Sequence, residues 1–295
     1  MKNPIFKGAA TALITPFYNG AVDKKAFADI IEEQIKAGIA ALVVCGTTGE
    51  AATMTDEEQI DTIAFAVKQV GGRVPVIAGA GSNNTSHAVE LCKESVKVGA
   101  DALLCVTPYY NKTSQAGLVQ MYTHIADNVE KPIILYNVPS RTGVNIEPKT
   151  YAMLADHPNI YAIKEAGGNF SKLAETFALV GDKVAIYSGN DDQVVPLLSL
   201  GGLGVISVLS NVMPRETAKM CELFFEGKVK ESAALQLKYL PLINALFSDV
   251  NPIPVKEAMA MLGKGTPELR LPLVRMSDEK REALKGEMKK VGLKV

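Results

Sequence analysis

The chain has 295 residues, 47% hydrophobic and 21% charged, with a formal net charge of −1. That is globular composition, long enough for one large α/β barrel with an appendage or for two small domains. A nearly neutral surface offers no basic field to nucleic acid or to an anionic membrane, and no segment approaches the roughly 20 apolar residues of a membrane-spanning helix.

The opening stretch, MKNPIFKGAATALITPF, places lysines before a small-residue run, as a secretory leader would. Thr11, Thr15 and Pro16 break that run and no cleavage region follows, so it reads as a first strand, ATALITP (10–16). Seven more apolar runs follow: AALVVCG (40–46), VPVIAGA (74–80), DALLCVTP (101–108), PIILYNVP (132–139), IYAIKEA (160–166), VAIYSGN (184–190) and GVISVLS (204–210). Their near-continuous apolarity is that of strands buried on both faces. Amphipathic segments alternate with them. DKKAFADIIEEQIKAG opens on an Asp cap, and Thr55 with Glu58 forms a Thr-x-x-Glu capping box. Eight strand–helix units at about 30-residue intervals predict a (β/α)8 barrel, with an open doubly wound sheet as the alternative.

The barrel units end near residue 226. Beyond it, GKVKESAALQLKYLPLINALF, NPIPVKEAMAMLG and SDEKREALKGEMKKVG read as three helices. The expected organisation is therefore a catalytic barrel over 1–226 and a C-terminal helical domain over 227–295. The four cysteines (Cys45, Cys92, Cys105, Cys221) contain no CxxC pair and read as reduced core thiols of a cytoplasmic protein. His87, His124 and His157 are scattered, and none has metal-ligand spacing, so no metal site is expected.

In such a barrel, chemistry sits at the carboxyl ends of the strands. Lys164 falls there, at the end of an apolar strand. A lysine at that position ordinarily reaches solvent. If it points inward instead, Ala162 and Ile160 do too, while Tyr161 and Ile163 face the helices, and its neighbour is Tyr136 at the end of strand five. An amine above an apolar floor is desolvated, which favours the neutral, nucleophilic form, and its natural target is a carbonyl. The turn CGTTGE sets hydroxyls between glycines, as an anion-binding nest would, or as a plain turn would. GAGSNN lacks the glycine and ribose-binding acid of a dinucleotide loop and reads as a turn, and the glycines of LGGLGVIS read as tight packing.

Taken in order, GTTGE, TPYYNK, YNVPSRTG, IKEA, YSGND and GVISV closely resemble the dihydrodipicolinate synthase family of pyruvate-dependent lyases. The likeness runs through NPIPVK and LRLPL and so spans essentially the whole chain. It implies that Lys164 forms a Schiff base with pyruvate, with no separate cofactor, and that the enamine attacks L-aspartate 4-semialdehyde. By the same resemblance Tyr136 relays protons, and Thr47 links it to Tyr110 supplied by a neighbouring subunit. The N–H groups of Thr47 and Thr48 hold the pyruvate carboxylate. Arg141 holds the second substrate's carboxylate, a task suited to a guanidinium fork. Gly189 and the carbonyl of Ile206 line the site. The assembly implied is a tetramer built as a dimer of dimers. The alternative within the superfamily is an aldolase acting on a sugar aldehyde, against which Arg141 and Thr47-Thr48 argue.

One part departs from the family pattern. Lysine-sensitive members bind lysine through a serine, two histidines and a glutamate. Here Ala51, Asp56, Gln59 and His87 stand at those places, although Asn83 and Tyr109 are kept. The expectation is weak or absent inhibition by lysine.

Overall fold

Eight parallel strands hydrogen-bond in chain order and close on themselves in a computed structural model of the protein, which describes residues 2–295. They are Gly8–Ala12, Ala41–Val44, Val76–Gly79, Ala102–Val106, Ile133–Asn137, Ile160–Glu165, Ala185–Ser188 and Gly204–Ser207. Seven lie inside the apolar runs read from sequence; the first begins at Gly8, ahead of its run. Closure decides between the two candidate architectures, because Ala10 on strand one is in register with Ala41 on strand two and with Ile206 on strand eight. The chain is a (β/α)8 barrel. At the seam Gly8 lies opposite Gly204, where an added Cβ would stand 1.8 Å from the Gly8 carbonyl oxygen. The glycines before strand eight thus serve close packing.

The barrel has two apolar layers. Between strands and helices lie mainly branched residues such as Leu42, Ile63, Leu103, Leu135 and Ile186. The interior is filled by small residues with a few large ones, among them Ala10, Ala41, Ala162, Ile134, Ile206, Tyr136 and Tyr187. Phe6 stacks on Tyr187 with ring centroids 4.1 Å apart, and the Tyr187 hydroxyl donates to the Phe6 carbonyl at 2.7 Å. The N-terminal segment thereby stoppers the end of the barrel opposite the chemistry. One parity expectation fails. Ile160 belongs to the outer layer, not the interior, because the register between strands five and six shifts between Ile133 and Ile134, so Ile133 faces Ile160 and Ile134 faces Ala162. The irregularity around Tyr161 spends one residue and leaves Ala162 and Lys164 facing inward.

The helices start on side-chain caps. Asp23, Asn84, Ser114 and Asn169 each accept from a first-turn N–H, of Ala26, Ser86, Gly117 and Lys172 respectively. Thr55 accepts from the Glu58 N–H at 3.2 Å. The reciprocal half of the expected capping box is not made, because the Glu58 carboxylate pairs with Arg270, 2.6 Å away. Three C-terminal helices, Val229–Leu246, Ile253–Met261 and Asp278–Lys290, occupy the places read for them. The middle one is nearly all buried, and its Lys256 pairs inside the protein with Glu50 of the TTGE turn. Among the described residues no helix is long and apolar enough to cross a membrane, and no cluster of three or more His, Cys, Asp or Glu side chains is placed to hold a metal ion.

Candidate active site

Lys164 is 6% exposed and faces the barrel interior from the end of strand six. It is in register with Tyr136 on one side and Tyr187 on the other. Its Nζ lies 4.2 Å from the centroid of the Tyr136 ring. Beneath it are Ala162, Ile134, Ala185 and Ile206, so the ammonium stands on the apolar floor expected from the sequence. Gly189, following strand seven, is what makes room for it: a Cβ there would lie 3.1 Å from Lys164 Cε and 2.8 Å from the Ala166 methyl. Strand seven then delivers Asp191, which accepts at Oδ2 from the N–H groups of Val208 and Leu209, both at 2.9 Å. Burial pushes the Asp191 carboxyl above its ordinary range, against those two donors and the nearby charge of Lys164.

The turn after strand two is wound tightly, with Cys45 and Glu50 both at positive φ (55° and 56°). Gly49 N–H donates to the Gly46 carbonyl and Glu50 N–H to that of Thr47, and Thr15 Oγ1 pins the Gly49 carbonyl at 2.7 Å. Among the described residues, neither the Thr47 nor the Thr48 N–H takes part in these turn bonds. Two free donors on consecutive residues are what a small carboxylate needs. Thr48 is buried, and its hydroxyl accepts from Asn251 Nδ2 at 3.0 Å. Arg141 sits on the four-residue helix Pro139–Thr142, entered through a proline and closed by Gly143 at φ +70°. Its Nη2 donates to the Asn251 carbonyl at 3.0 Å. Asn251 thus ties both anion-binding candidates to the C-terminal helices.

Thr47, Tyr136 and Arg141 line one cavity of about 440 Å³ above the barrel mouth. Lys164 lies below this lining, beside Tyr136. The cavity continues past Gly46 and Leu104 to Ala51, Asp56, Gln59, Ser82, His87 and Tyr109. There His87 Nε2 meets Asp56 Oδ2 at 2.8 Å and His87 Nδ1 meets Ser82 Oγ at 3.1 Å, while Gln59 donates to the Gly79 carbonyl at 2.7 Å.

Residues 5–291 match the profile of the dihydrodipicolinate synthetase family. The chain belongs to that family. It is 52% identical over 285 residues to a 4-hydroxy-tetrahydrodipicolinate synthase of Clostridium tetani, covering 96% of this chain and 97% of that one. The crystal structure of dihydrodipicolinate synthase from Aquifex aeolicus superposes with a TM-score of 0.96 at 43% identity, over 98% of this chain and 99% of that one. A solved relative described as a monomeric dihydrodipicolinate synthase variant gives 0.97 at 42% identity, over 98% of both chains.

Within this member of the dihydrodipicolinate synthetase family, six of the eight residues singled out from sequence gather at one end of the barrel: Lys164, Tyr136, Thr47, Thr48, Arg141 and Gly189. Ile206 is fully buried in the interior layer. Tyr110 is not brought to the others. It is 93% exposed and held at φ +73°, a backbone conformation uncommon for a tyrosine. No hydrogen bond joins Thr47 directly to Tyr136 among the described residues. Sequence reasoning missed Asn251, whose partners lie more than a hundred residues away, and Asp191 as a member of the site. It also missed Glu165, although the in-register dipeptides Tyr136-Asn137 and Lys164-Glu165 carry the signal.

Proposed function

We propose that the chain condenses pyruvate with L-aspartate 4-semialdehyde through a Schiff base on Lys164, giving 4-hydroxy-tetrahydrodipicolinate for diaminopimelate and lysine synthesis. The observation that carries the reading is the amine of Lys164, buried on an apolar floor and held against the Tyr136 ring. Lys164 Nζ adds to the C2 carbonyl of pyruvate, and loss of water leaves an imine. Loss of a C3 proton converts it to the enamine. That carbon attacks the aldehyde carbon of the second substrate, forming the new C–C bond. Ring closure by the semialdehyde's own amine at C2 then releases Lys164. The chemistry is carried by the lysine itself and calls for no separate cofactor.

Tyr136 serves as the proton relay, its ring lying against Lys164 Nζ and its side chain lining the cavity. The Thr47 and Thr48 N–H groups hold the pyruvate carboxylate, and Gly189 and the Ile206 carbonyl border the reacting carbon. Arg141, at the cavity lip, takes the carboxylate of the semialdehyde, an acceptor of the type a sugar aldehyde lacks. The barrel over 1–226 carries the chemistry, and the helical domain over 227–295 braces Thr48 and Arg141 through Asn251. A free thiol at each of the four cysteines and substrates drawn from amino-acid synthesis support a cytoplasmic location.

The exposure and positive φ of Tyr110 support its reaching a neighbour's site, so the working unit is at least a dimer and, on the family pattern, a dimer of dimers. The test of the whole reading is pyruvate consumption with L-aspartate 4-semialdehyde or N-acetylmannosamine as acceptor, for the wild type and Lys164→Ala. Turnover of the semialdehyde that vanishes in the variant is expected. Turnover of the sugar would move the chain to the aldolases, and activity surviving Lys164→Ala would overturn the mechanism.

A further inference from the structure

We infer that Glu165 is a positioning residue that acts through Asn137 to hold Tyr136 against Lys164. The inference rests on the reading of Lys164 and Tyr136 given above. Side chains alternate along a strand, so the residues following Tyr136 and Lys164 face away from the barrel interior. They are in register with each other, Asn137 opposite Glu165, just as Tyr136 lies opposite Lys164. Across that outer face Asn137 Nδ2 donates to both oxygens of Glu165, at 3.0 and 3.1 Å. Gly167 N–H donates to Oε1 at 2.6 Å and the Tyr151 hydroxyl to Oε2 at 3.0 Å. A Cβ on Gly167 would come within 2.7 Å of Oε1, so the chain turns tightly around the carboxylate.

The same two residues also tie down the backbone. Asn137 Oδ1 accepts from the Ile146 N–H at 3.0 Å. Ala166 N–H donates to the Asn137 carbonyl at 2.9 Å, and Gly189 N–H to the Glu165 carbonyl at 2.7 Å. The ends of strands five, six and seven are thereby fixed relative to one another at the level of Lys164. Among the described residues every group that hydrogen-bonds to the Glu165 carboxylate is a donor and no cation is paired with it, so the position calls for a side chain that only accepts. Enclosure pushes its carboxyl above the ordinary range, against these donors. A glutamine can keep most of the pattern, because the Tyr151 hydroxyl can turn to accept from the new amide. An alanine leaves the Gly167 N–H and the Tyr151 hydroxyl without this acceptor and Asn137 held only through the Ile146 N–H and Asn145 Oδ1.

The experiment compares wild type, Glu165→Gln, Glu165→Ala and Tyr151→Phe by three readouts. These are borohydride-trapped pyruvate adduct located by mass spectrometry, exchange of pyruvate methyl protons with D2O, and steady-state kcat and KM. A misplacement of Tyr136 should slow proton transfer per trapped site. Exchange and kcat should fall about 10–100-fold in Glu165→Ala and about 3–10-fold in Tyr151→Phe, with pyruvate KM within about 3-fold and Glu165→Gln within about 5-fold of wild type. A purely structural role would lower adduct, exchange and turnover in equal proportion. Wild-type exchange and kcat per trapped site in both Glu165→Ala and Tyr151→Phe would overturn the inference while leaving Lys164 in its role. Should Glu165→Ala fail to fold, wild-type values in Tyr151→Phe would overturn it alone. A wild-type adduct found on a different lysine would remove the reading of Lys164, and this inference with it.

Discussion

Replacing Lys256 by methionine would strand a carboxylate beneath the turn that presents Thr47 and Thr48. The side chains of Lys256 and Glu50 are both fully buried and paired with each other. The remaining company is sparse: Lys256 Nζ lies 4.2 Å from the Phe17 ring centroid, and Glu50 Oε2 accepts from the Arg270 N–H at 3.3 Å. Removing one partner of such a pair typically costs about 3–5 kcal/mol, because the other charge stays buried and unanswered. At roughly 2 cal/mol/K of unfolding entropy per residue, a chain of this length would melt about 5–8 °C lower. Converting both residues, Glu50→Gln with Lys256→Met, removes the charge and should recover all but about 1–2 kcal/mol. In the wild type, burial lowers the pKa of the Lys256 ammonium, with Glu50 opposing. The unfolded chain then holds the extra proton, and stability should rise with pH between that lowered value and the ordinary 10.5. Thermal melts by near-ultraviolet circular dichroism across this range read both effects. A single variant melting within about 1 °C of wild type, or a double variant as unstable as the single, would refute the argument.

Arg141→Ala should raise KM for the semialdehyde about 30–100-fold while borohydride traps pyruvate on Lys164 at wild-type yield; equal loss in both steps would make the arginine structural. Lysine at about 1 mM should leave turnover within about 20% of the uninhibited rate, because Asp56 is already paired with His87 and Gln59 is committed to the Gly79 carbonyl. Half-inhibition below that concentration would show that the cleft still binds lysine. Mixing Tyr110→Phe with Lys164→Ala, each inactive alone, should restore about a quarter of wild-type activity if Tyr110 serves a neighbour's site. No recovery after verified subunit exchange would place Tyr110 outside the mechanism. All four thiols are buried, with Cys221 pushed up to about 12 by burial, so none should react with a disulfide reagent near pH 8 until the protein unfolds.

What was legible in the sequence, and what was not, divides along a physical line. Strands buried on both faces must be apolar throughout, so the eight runs announced themselves. Strand ends feed loops that cannot be apolar, so CGTTGE, YNVPSRTG and KEA stood out at the edges of those runs. The closed ring was not legible as such, because a barrel and an open sheet share the same local pattern; only the pairing of strand one with both strand two and strand eight separates them. The misplacement of Ile160 has a related cause. Counting by twos assumes an unbroken ladder, and the shift opposite Ile133 breaks it, yet inward orientation is restored by Ala162. The pairs that brace the site were the least legible. Glu50 with Lys256, Glu58 with Arg270, and Asn251 with Thr48 and Arg141 all join the barrel mouth to the C-terminal helices across more than a hundred residues. No spacing rule reaches that far. Yet Asn251 and Lys256 carry a mark the sequence does show, an amide and a charge inside a segment otherwise fit for burial, NPIPVKEAMAM. A buried polar group must have a partner, and the polar groups at the barrel mouth were the ones in want of partners. The C-terminal segment therefore braces the turn that carries Thr47 and Thr48, and the buried charge of Lys256 is the part of that brace that answers Glu50.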